Sequence, residues 1–411
     1  MSPTQRSAKM GRFETGSPVK FFLTGQEKLI NPDSELWNTP LPSNRKNTQV
    51  KSSEDNPDTI TYGDYFEAAA AFIKKNNYEI ILNALSYSKQ EICLEQIDEI
   101  QILLVKHGQF YHPAKVVAVA LNSKIPFVLN VAVSQDGIKC SENEYLTLQR
   151  LHQEIPNDLI PFVYGYGSII SKRNNLPISM FLARWFEGYN EFHISKDPAD
   201  GRNKIIVWDH INGNVFISDD HATEIYRQAA MIMTFFYNIF TFEQIFPWHH
   251  AAGDFVVKIT DNKPDVKLIT VRQYTSLYAI ENMTDCLLAD SNEVFEGLLM
   301  FLAVLSIRMR LDRLDGTGNI VWADNKAVEG TIKGFMDGIL IKIESNKIPG
   351  DFNHNLIDYL LSYSKDQLME LLTIVVNSFN QSAPDIMVIN KNLPRHSGEL
   401  YEAIRNFLAV S

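Results

Sequence analysis

Three short runs in the first half of the chain, residues 100–105, 115–121 and 127–133, are rich in β-branched side chains. His107-Gly108 precedes the second run and Asn122-Ser123 the third. Consecutive runs of this kind separated by turn formers predict an antiparallel meander. Upstream, Gly63-Asp64 and the alanines at 68–71 predict a helix over 62–76, with a second over 78–85. Downstream, Ser141 followed three residues later by Glu144 has the spacing of a capping box, and Tyr145, Leu148, Leu151 and His152 continue at helical intervals. Two more strands are expected at 162–169 and 180–185, then a long apolar helix at 222–240. A strand pair at 254–259 and 266–270 flanks the turn Asp261-Asn262-Lys263-Pro264, and another apolar helix covers 294–311. The remainder alternates helical patterns with turns at 347–350 and 380–384. By contrast, residues 1–57 are polar and aperiodic, and read as an extended or partly disordered arm with Phe21, Phe22, Leu23 and Trp37 as docking points.

Composition narrows the class. The 411 residues carry 38 basic and 49 acidic side chains, a net charge of −11, with 45% hydrophobic residues. This is a globular composition, and its acidic balance argues against a protein that works by neutralising nucleic-acid phosphates. Cys93, Cys140 and Cys286 form no CxxC pair, so neither a zinc framework nor a disulfide scaffold is expected. No apolar stretch approaches the ~20 residues that span a bilayer, and the first twenty residues lack a signal-peptide core. A soluble cytoplasmic protein without nucleic-acid or membrane partners is the expectation.

The order of elements, a strand-rich sheet with one helix followed by a helical half, resembles the protein-kinase-like superfamily over residues 98–380. The style is closest to the aminoglycoside and choline phosphotransferases. Val131-Ala132-Val133-Ser134 is similar to the third strand, and Glu142-Asn143-Glu144-Tyr145 to the helix with the paired glutamate. Trp185-Phe186-Glu187-Gly188 resembles the hinge, and His249-His250-Ala251-Ala252-Gly253-Asp254-Phe255 the catalytic loop. The resemblance implies an α+β, two-lobed fold: a small antiparallel-sheet N-lobe with one main helix at 98–187, and a mostly helical C-lobe at 188–411. Residues 58–97 would be a helical extension.

For function, the resemblance implies an ATP-dependent phosphotransferase acting on a hydroxyl of a small molecule or protein. Asp254 would accept or orient the hydroxyl proton, His249 would support it, and Arg272 would stabilise charge. Lys115, Glu144, Glu187, Gly188 and Tyr189 would line the nucleotide site. The departures weigh equally. Ser134 stands where the third-strand lysine belongs, Ile259 where the catalytic-loop asparagine belongs, and Thr270 where a metal-binding aspartate belongs. Mg²⁺ would therefore lose its usual ligands, and histidine spacing offers no metal site in exchange. The alternative is a pseudokinase that holds a nucleotide, ligand or partner protein without turnover. A third reading rebuilds the His249–Asp254 segment for another reaction.

Each residue also has a plainer reading. Asp254 can be a turn aspartate, Lys115 a solvated strand-end lysine, and Arg272 a surface arginine. Arg308 and Asp312 are spaced as an i,i+4 pair on a helix end. Trp185, Trp208, Trp248 and Trp322 read as core or wall aromatics.

Overall fold

A computed structural model describes residues 18–42, 59–87, 92–108, 110–155, 158–209, 211–248, 250–276, 291–345 and 348–408. The chain divides into two compact units, Met1–Pro156 with Pro161–Glu187, and Asn157–Ile160 with Gly188–Ser411. Among the described residues the fold is α+β, with nine helices, one mixed seven-stranded sheet and several small sheets. No helix among them is long and apolar enough to cross a membrane.

The first unit contains β1 (Val19–Leu23), β2 (Gln26–Ile30), α1 (Tyr62–Tyr87), β3 (Ile97–Leu104), β4 (His112–Ala120), β5 (Ser123–Ala132), α2 (Gln135–Glu154), β6 (Val163–Ile170) and β7 (Pro177–Arg184). The strand order is β2-β1-β3-β4-β5-β7-β6. Strands β3, β4 and β5 form the antiparallel meander, with Lys115 opposite Leu103 on one side and Val128 on the other. The sheet is nevertheless mixed, because β1 runs parallel to β3 with Phe21 opposite Ile102. This corrects the expectation of a purely antiparallel sheet. Phe21 stacks on Phe66 of α1 at 4.9 Å and lies 5.9 Å from the buried Trp37. These aromatics dock into the unit's own core.

Period-2 alternation determines which strand residues face α1. Ala114, Val116 and Ala118 of β4, Phe127, Leu129 and Val131 of β5, and Ile178, Met180 and Leu182 of β7 join Tyr65, Phe66, Ala69 and Ile73 in one cluster. Buried residues of α1, from Tyr62 to Leu85, are thus part of the core beneath the sheet. Asn76, Asn77 and Tyr78 take left-handed backbone angles that interrupt α1, separating the two helical stretches near the expected place. Helix α2 starts six residues before Ser141: Ser134 is its N-cap, its hydroxyl accepting from the Gly137 amide at 3.1 Å. Ser141 and Glu144 are both buried inside the helix, so their capping-box spacing is incidental. Ser134, which resembled a lost lysine, caps a helix.

The second unit contains β8 (Phe192–Lys196), β9 (Asn203–Val207), β10 (Val215–Phe216), α3 (Asp219–Phe236), β11 (Glu243–Ile245), the single turn α4 (Ala251–Asp254), β12 (Phe255–Thr260), β13 (Lys263–Leu268) and β14 (Tyr274–Ser276). It continues through α5 (Ser291–Arg308), β15 (Leu311–Arg313), β16 (Ile320–Trp322), α6 (Asn325–Glu344), α7 (Phe352–Ser362), α8 (Lys365–Ser378) and α9 (Ile386–Leu408). Its strands pair as β10-β9-β8, β11-β14, β12-β13 and β15-β16. Most of these short strands have no counterpart in the expected helical lobe. Helices α3 and α6 pack with their backbones almost touching, because Gly330, Gly334 and Gly338 recur every four residues on one face of α6.

Candidate functional site

In the second unit, Asp254 ends the turn α4 and is 4% exposed. Gly253 before it has φ of +90°, a left-handed conformation that a side chain resists, and this angle aims the next residue inward. The Asp254 carbonyl accepts from the Ile269 amide at 2.9 Å, which ties the turn to the end of the β12–β13 hairpin. Four residues beyond β13, Arg272 reaches back: Nη2 donates to Asp254 Oδ1 at 3.1 Å and Nη1 to the Pro247 carbonyl at 3.1 Å. The Arg272 side chain is 15% exposed and that of Asp254 5%. Two residues eighteen apart in sequence therefore form one shielded ion pair. The guanidinium keeps Oδ1 engaged by a fixed cation.

Truncating one partner leaves a shielded charge exposed to a poor solvent. Arg272→Met is expected to lower the stability of the second unit by about 2 kcal/mol, read from urea midpoints, with Asp254→Asn restoring most of it in the double variant. Equal losses from both single variants and no recovery in the double would mean that the pair contributes nothing beyond packing.

The hinge-like residues divide between engaged and exposed. Glu187 and Gly188 are exposed. The Tyr189 hydroxyl donates to Asp265 Oδ2 at 2.5 Å, and its ring has the Lys258 and Lys267 ammoniums at 6.0 and 5.9 Å. Asn190 exchanges backbone hydrogen bonds with Val257 at 2.8 and 2.9 Å. The segment is fastened to the β12–β13 hairpin. His249 lies outside the described residues.

In the first unit, Lys115 and Glu144 do not form the lysine–glutamate pair that the resemblance implies. The Lys115 ammonium lies over the Trp185 ring at 4.9 Å, and among the described residues it makes no ion pair. Helix α2 packs over β5, β6 and β7, while Lys115 sits on β4, one strand farther along the sheet. Glu144 is 2% exposed and shares its surroundings with Tyr111 and Cys140. The Tyr111 hydroxyl donates to Cys140 Sγ at 3.0 Å, and burial followed by the nearby Glu144 charge pushes the phenol far above its ordinary range.

A second polar group, unsignalled by sequence, lies beside α4. His193 of β8 is 5% exposed, and its Nδ1 is 3.1 Å from Asp312 Oδ1 on β15. Asp312 also accepts from the Ile194 amide at 2.6 Å and from its own neighbour's, Arg313, at 2.7 Å. Turn α4 packs against both β8 and β15. Asp312 therefore belongs to a strand and pairs across it, not with Arg308, which instead meets Asp385 at 3.5 Å and the Phe379 ring at 4.8 Å. The sequence separation of 119 between His193 and Asp312 leaves no spacing to recognise. Among the described residues no group of three or more His, Cys, Asp or Glu side chains could hold a metal ion.

No protein-family model matches the chain, and no curated protein is similar to it by sequence.

Proposed function

We propose that the chain is a kinase-like protein of the non-catalytic kind, a pseudokinase that binds a nucleotide without ordinary Mg²⁺-dependent phosphoryl transfer. In this reading the two units correspond to the lobes of the kinase-like fold. The observation that carries it is the Asp254–Arg272 ion pair: the carboxylate that would handle the acceptor hydroxyl is instead engaged by a fixed cation. The lysine–glutamate arrangement that readies a kinase for ATP is likewise replaced, by Lys115 over Trp185 and by Glu144 beside Tyr111. With the Asp254 carboxylate engaged, a nucleotide bound in this reading is not turned over.

Thermal unfolding with ATP, in the presence and absence of Mg²⁺, tests it. Saturation at about a hundred times Kd stabilises a protein by about 2.7 kcal/mol, and the same stabilisation is expected with and without the metal. Mg²⁺-dependent phosphate release that Asp254→Asn abolishes would replace this reading with that of an active phosphotransferase. No stabilisation by nucleotide would remove the nucleotide from the proposal.

A further inference from the structure

The Asp312 carboxylate takes three donors, the Ile194 and Arg313 amides and His193 Nδ1. Because a carboxylate only accepts, Nδ1 carries the proton toward Asp312, and in the neutral ring this tautomer leaves the lone pair on Nε2. Nε2 is fully buried and has no hydrogen-bond partner among the described residues. A buried polar atom left unmatched costs about 1–3 kcal/mol, and a donor that reached Nε2 would recover that cost.

The cover over Nε2 is a turn and one indole ring. A Cβ on Gly316 would fall 3.0 Å from Nε2 and 2.7 Å from the Trp208 ring, so backbone and indole together close over the nitrogen. Asp315 and Gly316 both have left-handed backbone angles, φ of 52° and 71°. The turn is exposed at Asp315 and Thr317–Asn319, and is pinned by Ser195 Oγ donating to Asp315 Oδ1 at 2.6 Å. Trp208 is half-buried, its ring 4.5 Å from that of His193.

We propose that His193 Nε2 is a gated acceptor site for a hydroxyl-bearing small molecule of the polyol or sugar class, which enters as the Asp315–Gly316 turn lifts and lies against Trp208. The class follows from the chemistry. The nitrogen accepts and does not donate, the neighbouring Asp312 and Asp315 carboxylates disfavour anions, and the indole offers a flat apolar face for C–H groups.

The test uses the full chain labelled with ¹⁵N on histidine, observed at neutral pH with glycerol as the probe. The expected spectrum shows His193 protonated on Nδ1 only. Glycerol should move the Nε2 resonance upfield in a saturable way, with His112 and His396 unmoved. Trimethylamine N-oxide, which has no proton to donate, should leave His193 unchanged. Ser195→Ala removes the turn's pin without touching His193, and is expected to lower the glycerol concentration at half-shift several-fold, because less free energy is spent on opening. Protonation on Nε2, a shift shared by all the histidines, or an equal response to trimethylamine N-oxide would overturn the acceptor site. Half-saturation unchanged by Ser195→Ala would overturn the gate.

Discussion

Gly334→Ala is expected to destabilise the second unit by about 4 kcal/mol, among the largest effects available to a single methyl group. A Cβ at this position would lie 1.9 Å from the Arg227 carbonyl oxygen and 2.8 Å from the Met231 amide nitrogen. Both atoms are α3 backbone, so no rotamer change can yield and the two helices must separate. Separation would also weaken the contacts at the neighbouring glycines: Gly330 faces the Thr223 carbonyl and Gly338 faces Thr234. It would strain the Arg227–Asp337 pair, now at 2.6 Å, that bridges the same helices. Helix propensity works in the opposite direction, since alanine is better than glycine in a helix by about 1 kcal/mol. The clash must win by a wide margin for the prediction to hold. Gly398→Ala on α9 supplies the comparison: its Cβ would meet only the end of Lys365 at 3.5 Å, an ordinary contact. That variant should gain about 0.5–1 kcal/mol. Urea midpoints of the two variants check both signs, and a stable Gly334→Ala protein would mean that α3 and α6 do not pack through these glycines.

The glycine stripe was present in the sequence as a four-residue period, yet a pattern of absent side chains says nothing about which helix fills the groove. What the sequence did disclose was local. The meander at β3–β5 is carried by β-branched alternation, and the interruption of α1 falls at Asn76-Asn77, where two asparagines tolerate left-handed angles better than most residues. Ser141 and Glu144 misled because a capping box is a spacing, and the same spacing arises by chance inside a helix whose cap lies at Ser134. The N-terminal strand β1 escaped because its partner β3 is about eighty residues away, and parallel pairing leaves no turn to read.

The candidate site divides on the same line. Asp254 and Arg272 flank a hairpin, so a reading of turns and strands brings them near each other. His193 and Asp312 are joined only by the tertiary fold, through two strands of five and three residues. Lys115 failed as a partner for Glu144 for a geometric reason: a residue can lie on a strand of the right sheet and still be one strand away from the helix that carries its counterpart. Sequence supplies residue types and faces; lateral position in a sheet comes from pairing.

Acidification is expected to weaken both units through a histidine buried in the neutral form. In the first unit, His112 Nδ1 is 3.0 Å from His107 Nδ1, whose Nε2 lies 3.1 Å from the Tyr62 hydroxyl, and the Tyr65 hydroxyl donates to the His112 carbonyl. Burial, then the charge of His107, pushes His112 down to about 3, and burial lowers His107 as well. In the second unit, His396 Nε2 is 3.1 Å from Ser306 Oγ, its ring lies edge-on to Trp322, and Arg310 and Glu399 form an ion pair nearby. Burial, then the Arg310 charge, pushes His396 down to about 3. An imidazole that ionises near 6.5 when unfolded and near 3 when folded lets the unfolded chain bind the extra proton first, so its contribution is intact above pH 6.5 and declines as pH falls toward 3. Each histidine should cost about 2 kcal/mol by about pH 5, before most carboxylates titrate, and about 3 kcal/mol by about pH 4. Amide exchange resolves the two units, with β3–β5 reporting the first and α5 and α9 the second. His112→Asn should reduce the pH dependence of the first unit between about pH 7 and 5, with His107 supplying what remains, while leaving that of the second, and His396→Asn the reverse. Wild-type protection factors that stay level across this interval, with the intrinsic pH dependence of exchange divided out, would show that neither imidazole is held neutral by its surroundings.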